Sequence, residues 1–144
     1  MKTETNFDQS RASDDAAEIR AHAKDLKEFS SRLRGLSPYA RKLLLHIAEL
    51  AYHGRGEQRK SDVAYLPELY ECTGLGVEAM YPLLEGLKQG KFIDVQDQYP
   101  FEDVKIASAS SGVNVLRTIT RFCEQKKIPL RDILVDLHFE LLNG

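Results

Sequence analysis

The sequence predicts a mainly helical protein built as one domain, with a single small β-hairpin. Three observations carry that expectation. Apolar residues recur at spacings of three and four through most of the chain, the signature of helices with one inward stripe. One stretch breaks that rhythm: Phe92–Val95 and Val104–Ile106 read as short strands on either side of the turn signal Tyr99-Pro100. Glycine and proline fall between the periodic segments, at Gly35, Pro38, Gly54, Gly74, Gly90 and Pro129.

The elements follow in order. Residues 1–12 are polar and read as a flexible tail. Residues 13–36 read as one helix, with Ser13 as N-cap, Asp14 and Asp15 in the first turn, and a stripe of Ile19, Ala23, Leu26, Phe29, Leu33 and Leu36. Gly35 ends it, and Ser37-Pro38 opens the next helix as N-cap and first helical residue. That helix, about 38–53, turns Leu43, Leu44, Ile47, Leu50 and Ala51 inward. A polar loop, Gly54 to Asp62, precedes a short strand at Val63–Leu66. Pro67 opens a short helix to about Cys72, and Gly74 permits the turn after it. A helix at about 77–89 places Val77, Met80, Leu83, Leu84 and Leu87 on its apolar side, and Gly90 reads as a left-handed cap. After the hairpin and a small-residue joint at 108–112, two helices are expected at 113–127 and 129–142. The second is apolar on more than one side, so something must cover it.

Composition limits the function. The chain has 144 residues and a net charge of −2, so no global basic field draws it to nucleic acid. Cys72 and Cys123 are too far apart in sequence for a CxxC pair and give no disulfide framework, which suits a reducing cytoplasm, and both read as buried small hydrophobes. The first ten residues lack the apolar core of a secretory leader, and no apolar run approaches the ~18 residues of a membrane span. His22, His46, His53 and His138 are dispersed, and no third ligand follows at metal spacing, so neither metal nor cofactor is expected. No phosphate loop, nucleophile elbow or paired catalytic acid stands out, and an enzyme is not expected.

Residues 37–108 run helix, short strand, short helix, glycine turn, helix, glycine, hairpin. That is the order of a winged helix-turn-helix, here with extra N-terminal (13–36) and C-terminal (109–144) helices. Within it, Met80-Tyr81-Pro82-Leu83-Leu84-Glu85-Gly86-Leu87-Lys88-Gln89-Gly90-Lys91-Phe92-Ile93 resembles a stretch of the PadR-type transcriptional regulators. Leu43-Leu44-Leu45 through His53-Gly54 resembles the first helix of that family's domain. The resemblance spans about residues 41–96. It implies a homodimeric DNA-binding regulator whose C-terminal helices pair, with double-stranded DNA as partner and a small hydrophobic effector.

Charge qualifies how such a protein would hold DNA. Residues 76–108 carry three basic and six acidic side chains, whereas residues 20–60 carry ten basic and four acidic. Affinity for duplex rests on phosphate neutralisation. The candidate contacts are therefore Arg55, Arg59 and Lys60 in the loop, Arg41 and Lys42 behind the motif, and Glu78, Tyr81, Lys88 and Lys91 on or just after the recognition helix. The same acidic wing and helix suit an alternative: a winged-helix module that mediates protein–protein contacts without DNA. For self-association the candidates are Leu26, Phe29 and Leu33 in the first helix and Leu130, Leu134, Leu137 and Leu141 in the last.

Overall fold

A computed structural model describes residues 17, 19–53, 62–95 and 103–143. The protein is mainly helical with a three-stranded antiparallel sheet. The elements run α1 (Ala23–Arg34), α2 (Pro38–Tyr52), β1 (Val63–Tyr65), α3 (Leu66–Thr73), α4 (Val77–Gln89), β2 (Ile93–Val95), β3 (Asp103–Ile106), α5 (Val115–Lys126), α6 (Leu130–Leu134) and a 3-10 helix at Phe139–Asn143. Among the described residues no helix is long and apolar enough to cross a membrane.

Helix α2 is the hub. Ser37 caps it by accepting from the Ala40 amide at 3.2 Å, and Pro38 supplies a first-turn residue with no amide to satisfy. Leu43, Leu44, Ile47, Ala48 and Ala51 are buried on it, because α2 packs against β1, α3, α4, α5 and α6. Each fully buried leucine or isoleucine contributes about 1.5–3 kcal/mol.

The sheet has the order β1-β3-β2. The expected hairpin is β2–β3, registered Ile93↔Ile106 and Val95↔Val104. Strand β1 joins the other edge of β3 in the register Ala64↔Val104. Ala64, Ile93, Val104 and Ile106 are buried. Asp94 and Lys105, both exposed, stand opposite each other across the hairpin.

Four expectations are corrected. The N-terminal helix is not continuous over 13–36: His22, at φ −112° and ψ 37°, interrupts it and takes the N-cap position of α1, while its ring meets Asp25 at 3.4 Å. Ser13 and its neighbours lie outside the described residues. Gly90 is not left-handed (φ −76°, ψ 0°); the positive φ falls on Lys91, at 64°. Cys72, read as a buried small hydrophobe, is exposed; Cys123 is buried as read.

The largest correction is at the C-terminus. The helix expected over 129–142 stops at Leu134. A left-handed Leu137 (φ 62°) follows, and the His138 amide donates to the Asp132 carbonyl to close the helix end. The reason is geometric. Ile133, Leu134 and Val135 are consecutive, about 100° apart on a helix, and one straight helix cannot turn all three and Leu142 into the same core. Breaking the helix buries all four. Asp136 and Glu140 thereby fall beyond the helix end, and Glu140 meets His138 at 3.1 Å. The apolar surface read as self-association surface is thereby largely consumed. Phe29, Leu33 and Leu134 are buried in the chain's own core, Leu26, Leu130 and Leu137 pack half-buried against it, and only Leu141 is exposed.

Candidate functional site

The candidate site is built on α3, its turn and α4. Gly74 makes the turn possible by taking φ 71°, a region costly to any residue with a Cβ. Thr73 tightens the turn: its hydroxyl donates to the Leu69 carbonyl at 2.6 Å and accepts from the Leu75 amide at 3.2 Å. Helix α4 then buries Met80, Leu84 and Leu87, and leaves Glu78, Tyr81, Pro82 and Gln89 exposed on its outer side. Pro82 sits inside the helix, where its missing N–H leaves the Glu78 carbonyl without its usual intrahelical donor. That carbonyl belongs to an exposed residue, where water can serve instead.

The two ends of α4 are held differently. At the C-terminal end the Arg32 guanidinium of α1 donates to the Gly90 carbonyl at 2.7 Å and to the Lys91 carbonyl at 3.3 Å. The same guanidinium lies 5.1 Å from the centre of the Phe92 ring. Phe92 is buried edge-to-face against Phe29, with ring centres 5.3 Å apart. A Cβ at Gly90 would stand 2.9 Å from this ring. At the N-terminal end, Gly76 caps α4 without a side chain, and Val77, read from sequence as inward, is 53% exposed.

The expected DNA-contacting residues separate. Lys42, Glu78, Tyr81 and Lys91 are exposed, and Lys88 is half-buried. Arg41 is engaged within the fold. Its guanidinium donates to the Leu36 carbonyl at 2.6 Å, holding the α1–α2 turn, and its Nε is buried. Arg55, Arg59 and Lys60 lie outside the described residues. The outward face of α4 is thus acidic and apolar, with Lys91 as the exposed cation at its end.

A feature that the sequence did not suggest lies beside this face. An open groove of about 420 Å³ runs between α2, the α3–α4 turn and α4, lined by Tyr39, Lys42, His46, Leu75, Ala79 and Leu83. Leu43 and Thr73 line it as well. Tyr39 is 71% exposed. The signal was present in the sequence as Tyr39 and Lys42 three apart and Ala79 and Leu83 four apart. Facing them across a groove, however, needs the packing of α2 on α4. His46 Nδ1 lies 3.9 Å from the exposed Cys72 Sγ, whereas His53 pairs with Glu124 at 3.1 Å, so the two histidines that could share a face of α2 have unrelated partners. Among the described residues no cluster of three or more His, Cys, Asp or Glu could hold a metal. Burial pushes the Cys123 thiol up to about 11, so it is a poor nucleophile near neutral pH.

A second polar cluster is structural. The Tyr52 hydroxyl donates to Asn114 Oδ1 at 3.3 Å, and Asn114 also caps α5 by accepting from the Arg117 amide at 3.0 Å. Arg117 approaches Asp62 at 3.7 Å. Burial, with the Asp62 charge second, pushes the Tyr52 phenol well above its ordinary range. The cluster ties α2, the start of β1 and α5 together. No protein family matches this chain, and neither a curated protein nor a solved structure matches it.

Proposed function

We propose that this chain is a DNA-binding transcriptional regulator of winged-helix type, as its resemblance to the PadR-type regulators implies. The observation that carries the reading is the arrangement of elements. Helix α2 is followed by a short strand, two helices joined at a left-handed Gly74, and a hairpin whose β3 pairs with that strand. In this topology α4 is the recognition helix and the β2–β3 hairpin the wing.

Affinity would come from cations around the helix more than from the helix face. Glu78 repels phosphate and at most accepts from a cytosine amino group. Lys42, Lys88 and Lys91 supply the attraction, together with Arg55, Arg59 and Lys60. A two-fold dimer would double these few contacts. The test is a fluorescence-anisotropy titration with mixed-sequence duplex at several salt concentrations. Binding is expected to be weak, and Lys88→Ala with Lys91→Ala should flatten the logarithmic salt slope by about two. Glu78→Gln should tighten binding to all sequences alike.

The alternative reading is a winged-helix module that contacts protein. The acidic and apolar outer face of α4, with Glu78, Tyr81 and Pro82 exposed, favours it. A folded protein that binds no duplex at ~50 mM salt, where electrostatic binding is strong, would select this alternative.

A further inference from the structure

The groove between α2, the α3–α4 turn and α4 has the size and lining of a small-molecule site. Its volume of about 420 Å³ lies within the range of ligand pockets. Leu43, Leu75, Ala79 and Leu83 give it an apolar floor and wall. Among the described residues, Lys42 is the charged group lining it and no carboxylate does. Among the described residues no carboxylate lies within ion-pair distance of the Lys42 ammonium. An apolar trough with one unneutralised cation at its rim complements a molecule with an apolar body and one negative charge. We propose that this groove binds a small apolar monocarboxylate, its chain against Leu75, Ala79 and Leu83 and its carboxylate at Lys42.

The position of the groove gives the ligand a consequence. Two of its walls belong to different parts of the proposed DNA-binding unit, α2 on one side and the turn and first turns of α4 on the other. A ligand seated between them bears on how α4 stands against α2. The second step, ligand-dependent DNA binding, rests on the winged-helix reading; ligand binding itself does not.

Cys72 provides a reporter. Its sulfur is exposed and lies 3.9 Å from His46, a groove residue, while Cys123 is buried. The rate of Cys72 alkylation by iodoacetamide, followed by intact mass on the full chain, therefore reads occupancy. Octanoate should slow alkylation saturably. Lys42→Gln should raise the half-saturating octanoate concentration about tenfold, the loss expected for one charge-assisted hydrogen bond. Protection by 1-octanol, which has no charge, should be the same in both proteins. Ala79→Trp, at an exposed position of α4, should fill the groove and abolish protection by both compounds, with circular dichroism verifying the fold.

Unchanged alkylation at saturating octanoate would overturn the proposal. So would equal octanoate affinity in wild type and Lys42→Gln, which would leave a merely apolar groove. Alkylation that slows with protein concentration but not with octanoate would make a second copy the occupant. Anisotropy measured with and without octanoate separates the two readings. Protection without DNA binding under any condition fails the winged-helix function and leaves the groove standing. Protection with DNA affinity unmoved overturns the coupling alone.

Discussion

Two glycines bracket α4 and have opposite surroundings. Gly90 follows its last turn in a crowded place, with the Phe92 ring 2.9 Å from where a Cβ would stand. Gly76 precedes its first turn with nothing among the described residues within 4 Å of such a Cβ. The crowded end is fixed by an aromatic pair, a guanidinium over a ring and two hydrogen bonds to carbonyls. The open end carries an exposed Val77, an uncapped helix start and the groove beside it. One helix thus has an anchored end, which sets where the hairpin leaves it, and a free end, where the proposed chemistry lies. Side chains at the anchored end already touch others on most sides, so changes there cannot relax.

This contrast can be tested by urea unfolding, from the largest effect to the smallest. Phe92→Ala should cost about 3–5 kcal/mol, because it removes a buried aromatic and its partner contacts with Phe29 and Arg32. Gly90→Ala should cost about 1–3 kcal/mol, the range for overpacking a site whose neighbour cannot move. Arg32→Met, which keeps the aliphatic stem and loses both carbonyl bonds, should cost about 1–2 kcal/mol. Gly76→Ser should change stability by only a few tenths of a kcal/mol, and in the stabilising direction, since φ −83° and ψ 173° suit a serine cap. Similar costs at Gly90 and Gly76 would break the comparison. A Phe92→Ala protein that unfolds with an unchanged midpoint would show that the anchor does not hold the helix.

Alkaline pH sharpens it from another side. Burial raises the Cys123 thiol to about 11 and the Tyr52 phenol higher still. Above the ordinary thiol range of about 8.5 the unfolded chain loses a proton that the folded chain keeps. The unfolded state then binds fewer protons, so stability falls as pH rises from that point. Cys123→Ala should flatten the first part of this fall.

The middle of the chain was legible because its signals are local. Ser37-Pro38 specifies a cap and a first turn, Gly74 a left-handed turn, and the spacing of Met80, Leu84 and Leu87 one buried stripe. None of these needs a distant partner. Gly90 misled for an instructive reason. A glycine after a helix usually provides a positive φ; here it provides room for Phe92, while Lys91 takes the positive φ. Arg41 misled similarly: a basic residue beside the motif reads as a phosphate contact, yet its guanidinium is spent on the Leu36 carbonyl. Of the groove only the spacings along each helix were legible, since its walls lie far apart in sequence and meet through packing.

By itself the sequence determined the helix order, the hairpin, the Ser37 cap and the Gly74 turn, because hydrogen-bond geometry, side-chain periodicity and backbone sterics act over a few residues. Only the tertiary structure decided where the apolar surplus of residues 130–142 would go. Periodicity says how much surface must be covered but not by what. The core accepted Ile133, Leu134, Val135 and Leu142 together, and that could happen only by ending α6 at Leu134 and turning the chain through a left-handed Leu137. The same packing left α4 anchored at one end and open at the other, a difference that depends on which side chains meet across the fold.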